Sequence, residues 1–208
     1  MLIRFYLDWL LGSRIGGSVV DIINNQNFSA VSAIKKIHYK VSLDTMAKII
    51  TGVIVAMTVG FLMAGFYAAT SEVGESDLKE GFPFFLPAGI MLLVILFCYG
   101  FRITGYELDD ESLRICRPVS SLLIGFAEIK EVSVASESVM GRTYRLFGNG
   151  GVFGYFGLFR NAAFGNMYWY ATRNSSWIIL EASGNRKLVI TPDDPGMAEA
   201  IRRKIKTE

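Results

Sequence analysis

Histidine is nearly absent from this sequence: His38 is the only one in 208 residues. A site that needs two imidazoles, whether a metal cage or a paired acid and base, is thereby excluded. A Ser-His-Asp arrangement survives only if His38 folds back onto the distant C-terminal half. Cysteine is almost as scarce. Cys98 lies in an apolar run and Cys116 in a strand-like run, which gives neither a disulfide framework nor metal-ligand spacing. Charge of one sign is also lacking. The 21 basic and 19 acidic residues leave a net +2, and no segment has the basic excess of a nucleic-acid surface. No metal, no cofactor, no nucleic acid and no catalytic residue is therefore expected.

Two stretches lack charge altogether. From Ile49 to Ser71 and from Gly81 to Phe101 there is no Asp, Glu, Lys or Arg. Spanning a hydrocarbon core takes roughly 20 apolar residues. The runs therefore read as a transmembrane hairpin over residues 46–102, with spans at about 49–71 and 82–101 and an acidic connection, Glu72–Glu80. Ion and proton pathways usually need an ionisable residue inside a span. None is present here, which argues against a transporter.

The charges that flank the spans set an orientation. Lys35, Lys36, Lys40 and Lys48 precede the first span and Arg102 closes the second, while the connection carries Glu72, Glu75, Asp77 and Glu80 against Lys79. Basic flanks stay on the cytoplasmic side, so both termini and the second half of the chain should be inside. Small residues recur at every fourth position of the first span: Gly52, Ala56, Gly60, Ala64 and Ala68. That pattern lets helix backbones approach closely. Packing against the second span is the expected use, and a seam between two copies is the alternative. Pro83 should open the second helix and Pro87 should kink it.

Residues 1–45 form an N-terminal segment with two open readings. It is an interfacial helix, or the start is assigned upstream of a natural one near Lys35. The opening stretch Met1–Leu11 is too short to span and has no signal-peptide layout. His38 reads as a polar residue just before the membrane.

From residue 103 onward the pattern alternates. Tyr106 and Leu108, then Leu113 and Ile115, face one way across a four-residue loop, Asp109–Ser112, and predict a β-hairpin. Further strands are expected at 122–126 and 129–135, a second hairpin at 167–173 and 177–182, and a strand at 188–191. A terminal helix follows over 196–206. Its acidic start and basic end suit the helix dipole, and Ala198, Ile201 and Ile205 give it one apolar side. About seven strands and one helix predict a barrel or sandwich plugged at one end.

Tyr106–Ile115 (YELDDESLRI), the segment from Ile124 through Glu128 and Ile129 to Val132, and Leu188–Pro195 (LVITPDDP) before a terminal helix carry a resemblance. Residues 103–208 resemble bacterial pleckstrin-homology-like (PH-like) domains. The resemblance implies a bent seven-stranded sheet capped by a helix, no shared catalytic residues, and a place beside transmembrane helices. PH domains that hold phosphoinositides place Lys and Arg around their first hairpin loop. Here that loop carries Asp109, Asp110 and Glu111, and three carboxylates repel a polyphosphate. Phosphoinositide binding is not expected.

The most unusual stretch is Phe147–Phe159, in which five glycines interleave with aromatics. It has no Gly-Lys-Ser/Thr and no G-x-G-x-x-G spacing, so it is not a phosphate cradle. Two readings are open. One is a glycine-kinked strand that tucks aromatics into the core. The other is a flexible apolar lip that contacts the bilayer, the hairpin or a peptide partner, through Gly150, Gly151, Phe153, Gly154, Tyr155, Phe156 and Arg160. Tyr168 and Tyr170 should share one strand face and Met167 and Trp169 the other, with one face in the core and the other a stacking platform.

The expectation is thus a non-enzymatic protein of the bacterial inner membrane. It presents a PH-like module to the cytoplasm, with a protein partner and with room for a homo-oligomer. The alternatives are an assembly subunit that acts through the Gly52–Ala68 stripe and an enzyme that uses the glycine-rich stretch with arginines and Asp193 or Asp194. No nucleophile–base pair supports the enzyme.

Overall fold

The structure is a computed structural model that describes residues 36–70 and 78–206. Residues 1–35 and most of the acidic connection lie outside the described residues, and so do the expectations placed on them.

Two helices form an antiparallel hairpin: α1, Thr45–Thr70, and α2, Leu78–Gly100. Both are long and apolar enough to cross a membrane. Their large side chains point outward: Val53, Met57, Met63 and Phe66 on α1, and Ile90, Leu93 and Leu96 on α2, are exposed. Pro83 does not open α2. The helix begins at Leu78, so Pro83 and Pro87 both lie inside it, each removing one backbone hydrogen bond.

The expected packing of the small-residue stripe is corrected. Gly52, Ala56 and Gly60 are exposed, and a Cβ added at Gly52 or Gly60 would meet nothing within 4 Å. Ala64 and Ala68 are half-buried. The crossing with α2 runs along a different face, through the buried Thr58 and Gly65. A Cβ at Gly65 would lie 2.8 Å from the Phe85 ring, and Ala88 is fully buried on the α2 side. The reason is a size match. The bulky Phe85 needs a residue without a side chain opposite, and Gly65 supplies it.

The remaining elements build a two-sheet β domain. β1 (Ile37–Tyr39), β2 (Gly105–Leu108), β3 (Ser112–Cys116) and β4 (Leu122–Gly125) form an antiparallel sheet in that order. β5 (Ile129–Ala135), β6 (Thr143–Gly150), β7 (Tyr155–Asn161), β8 (Gly165–Ala171), β9 (Trp177–Ala182) and β10 (Arg186–Ile190) form a second sheet ordered β5-β9-β10-β8-β7-β6. A one-turn helix, α3 (Glu137–Met140), joins β5 to β6, and α4 (Met197–Lys206) ends the described chain. A mainly β domain with a C-terminal helix is as expected, with nine strands after the hairpin in place of seven.

Period-two burial fixes the β2–β3 hairpin: Tyr106, Leu108, Leu113 and Ile115 are inside, with Glu107 and Arg114 outside. The expected hairpin between β8 and β9 does not form. β10 inserts between them, antiparallel to β9 and parallel to β8. Gly184 and Asn185, both at positive φ, make the tight turn that lets β10 return along β9.

The main core lies between the sheets and under α4, with Tyr106, Leu113, Phe126, Leu180, Ile190 and Ile201 among its members. The Tyr106 hydroxyl donates to the Tyr170 carbonyl at 2.6 Å and accepts from Thr191 N at 3.1 Å, so the buried phenol is satisfied. A second cluster covers the outer face of the larger sheet with Phe159, Met167, Trp169, Trp177 and Val189, and Ala47 of α1 packs into it. Both faces of the Met167–Tyr170 strand are therefore covered, and no stacking platform exists there: Met167, Trp169 and Tyr170 are all 1 % exposed or less.

β1 precedes the hairpin in sequence yet completes the smaller sheet, with Ile37 opposite Leu108 and Tyr39 opposite Tyr106. His38 is consequently an edge-strand residue, its Nδ1 3.6 Å from Glu107 Oε1. The chain leaves the β domain, runs out along α1 and back along α2, and re-enters the same sheet as β2.

The crossing predicts an asymmetry. Gly65→Leu should lower stability by about 1–3 kcal/mol through overpacking. Gly60→Leu should change it by no more than about 0.5 kcal/mol. Unfolding of both variants by denaturing detergent, followed by helix content, checks this. Equal losses would place Gly60 in the crossing.

Candidate functional site at the joint between the hairpin and the β domain

The glycine-rich stretch folds as one long hairpin, β6–β7, and its turn, residues 151–154, docks onto the base of the helices. Gly148 and Gly157 face each other across the strands at φ +108° and +126°. A Cβ on either would collide with the backbone of the opposite strand, so both positions require glycine. Close approach is the local reason for the composition.

The turn is clamped from both sides. Inside it, the buried Asn149 side chain donates to the carbonyls of Val152 and Gly154 and accepts from Val152 N at 3.1 Å. Outside it, Thr51 of α1 accepts from Phe153 N at 2.9 Å and donates to the Gly151 carbonyl at 3.5 Å. Phe153 sits at φ +57° and puts its ring edge-on to Tyr99 of α2, with centroids 5.6 Å apart. The Arg102 guanidinium covers Tyr99 at 4.2 Å. A Cβ at Gly151 would meet Ile50 at 2.6 Å, and one at Gly154 would meet the Ala171 carbonyl at 2.9 Å.

The residue before α1 completes the joint. Asp44 accepts from Ala47 N at 2.7 Å, which caps the helix, and from the Tyr155 hydroxyl and Asn174 N at 3.0 and 2.9 Å. Burial first, and then the charge and hydrogen bond of Asp44, push the Tyr155 phenol up to about 12. Nearby, Ser42 donates twice to Asp193, which also pairs with Arg173 at 3.4 Å.

The residues expected in an apolar lip thus divide. Gly151, Phe153, Gly154 and Tyr155 form the joint, Gly150 adjoins it, and Phe156 is buried in the main core. Arg160 stands apart, exposed on β7 opposite Tyr144. The turn packs against the hairpin through Thr51 and Tyr99, which is one of the contacts expected of the lip. Thr51, Asp44, Asn149 and Tyr99 were missed. Asp44 alone carried a local signal, an Asp just before a long apolar run, which is a helix N-cap pattern. Asp193 is occupied by Ser42 and Arg173, and Asp194 accepts from Gly196 N at 2.8 Å, so both carboxylates hold structure.

The acidic loop is likewise engaged. Asp109 accepts from the backbone N–H of Glu111 and Ser112 at 2.9 and 2.6 Å, and Asp110 meets Lys204 of α4 at 2.6 Å. The loop is closed by its own carboxylates and tied to the terminal helix.

Residues 104–205 match the family described as "Bacterial PH domain". No curated protein matches the chain, and no solved structure does.

One substitution tests the joint in two ways. Tyr155→Phe, which removes a hydrogen bond to a carboxylate, should cost about 1.5–3 kcal/mol. In the parent protein, a phenol whose folded pKa is raised adds stability below the unfolded value of about 10 and loses it as pH climbs toward 12. Thermal unfolding of the detergent-solubilised chain should show a steeper loss above pH 10 for the parent than for Tyr155→Phe. Parallel profiles would mean that Tyr155 does not titrate in the joint.

Proposed function

Because residues 104–205 belong to the bacterial PH domain family, we propose that the chain is a non-enzymatic, membrane-tethered PH-like interaction module. Its helical hairpin holds the β domain at the cytoplasmic surface of the inner membrane. The observation that carries the reading is the outward-facing apolar surface of α1 and α2, with Phe66, Met63, Leu93 and Leu96 among its exposed side chains. Water does not tolerate a patch of that extent on a monomer, and a bilayer covers it.

Helix length supports the placement. The 26 residues of α1 rise roughly 39 Å, against about 30 Å of hydrocarbon. The surplus, on the order of six residues, falls where Ala47 and Ile50 pack on the β domain. The basic residues Lys40, Lys48 and Arg102 lie at that end, which favours the cytoplasmic side for the domain. The two chain crossings between hairpin and domain, at 40–44 and 101–104, make it a fixed attachment rather than a swinging one. The partner recognised from there is a protein, because the acidic first loop is unsuited to a phosphoinositide.

A second reading has its own observation. Gly52, Ala56 and Gly60 face away from α2 into open space, where another helix could approach closely. On that reading the chain is a subunit of an assembly within the membrane, with a second copy packing through the same stripe. Cysteine crosslinking at Ala56 in native membranes separates the readings.

A reporter active only outside the cytoplasm should be silent when fused after Glu208 and active within Glu72–Glu80. The reverse pattern would overturn the orientation. Extraction of the full chain from membranes by alkaline carbonate would overturn the integral anchor.

A further inference from the structure

We propose that the loop between β3 and β4 inserts its tip, Pro118 and Val119, into the headgroup–acyl boundary of the bilayer beside the end of α2, as an apolar membrane contact of the β domain itself. The proposal rests on the hairpin being a membrane anchor. Both tip residues are exposed, and Val119 keeps 65 % of its surface open. An exposed valine is ordinary by itself, and its place is what selects the occupant. Val119 N donates to the Gly100 carbonyl at 3.1 Å, and a Cβ at Gly100 would lie 2.8 Å from Val119 Cγ2. Gly100 is the last residue of α2 and of its apolar span. The tip is therefore bonded to the end of a span. It adjoins the last turn of α2, where Leu96, Phe97 and Tyr99 are exposed. Arg102, the first charge after the span, lies over the Tyr99 ring at 4.2 Å. Aromatic and basic side chains at the end of a span sit among headgroups, so this pair marks the level of the tip.

The polar groups of the loop are closed from within. Pro118 has no backbone N–H, and that of Val119 is taken by Gly100. The Ser120 carbonyl accepts from Arg117 Nε at 2.7 Å, and the Ser120 hydroxyl accepts from Arg117 Nη2 at 3.1 Å. Arg117 itself is buried, 6 % exposed, with its guanidinium 5.6 Å from the centre of the Phe101 ring. Burying a guanidinium is costly unless it is hydrogen-bonded. Here its bonds hold the loop to one shape and leave Pro118 and Val119 as the outermost side chains. Backbone groups without partners could not enter the apolar boundary, and this tip has its donors accounted for. The tip carries no charge, so the contact asks for no anionic lipid. It is distinct from the acidic Asp109–Ser112 loop, which lies at the other end of β3 and is closed by its own hydrogen bonds and by Lys204.

The test is fluorescence quenching of the full chain in phosphatidylcholine nanodiscs, with an environment-sensitive dye on one introduced cysteine. The two native thiols are first removed by Cys98→Ala and Cys116→Ser. Dye is then placed at Val119→Cys, at Leu93→Cys in the middle of α2, and at Glu111→Cys, exposed at the far end of β3. At position 119 a lipid nitroxide near the headgroup end of its acyl chain should quench several-fold more strongly than aqueous iodide. Position 111 should show the reverse, and position 93 should respond most to a nitroxide near the chain terminus. Iodide quenching at 119 equal to that at 111 would overturn the proposal. So would shielding at 119 from iodide and lipid alike, which would mean that another protein surface covers the tip. Position 93 separates the two failures. If it too is open to iodide, the anchor reading itself falls; if it stays in lipid while 119 lies in water, only this contact does.

Discussion

Asp44 is the side chain on which the arrangement of the two halves depends. One carboxylate caps α1 through Ala47 N and grips the β domain through Tyr155 and Asn174. Its own backbone N–H donates to the Thr172 carbonyl at 3.3 Å. The residue that caps the first long helix is therefore also bound to β7, through Tyr155, and twice to the loop between β8 and β9, through Thr172 and Asn174. A capping carboxylate next to a helix N-terminus is favourable by itself. Here the same charge also fixes the angle at which the helix leaves the domain.

The other contacts at the joint follow from that angle. Once α1 rises from Asp44, Thr51 comes opposite the β6–β7 turn and Ile50 fills the space beside Gly151. Phe153, held at positive φ, then reaches Tyr99 at the end of α2. A residue without Cβ is needed where the turn meets Ile50, since a methyl group at Gly151 would overlap that side chain. The glycines serve close approach between rigid parts. Flexibility is not what they supply, because Asn149 closes the turn from within.

Rigid attachment has a consequence for any signal that passes through the chain. The β domain is tied to the helices before α1, through β1 and Ser42–Asp193, and after α2, where Thr104 N donates to the Cys116 carbonyl at 2.9 Å. A tilt of the hairpin therefore moves the domain with it. A domain on a flexible linker samples many orientations; one tied at both ends of the hairpin holds a single orientation relative to the helices.

The sequence by itself determined what local periodicity and composition can carry. Two charge-free runs specify long apolar helices, alternation at Tyr106–Ile115 specifies a half-buried hairpin, and the pattern Ala198, Ile201, Ile205 specifies a terminal helix with one apolar side. These signals report that a face is buried but not against what. Only the tertiary structure decided the partners. It placed β10 between β8 and β9, drew Ile37–Tyr39 across the hairpin to pair with β2, and turned the glycine-rich stretch inward onto Thr51. It also chose Gly65 over Gly60 for the helix crossing, because the choice depends on where Phe85 stands on the other helix. Complementarity between two surfaces is a property of the pair, and neither segment alone encodes it.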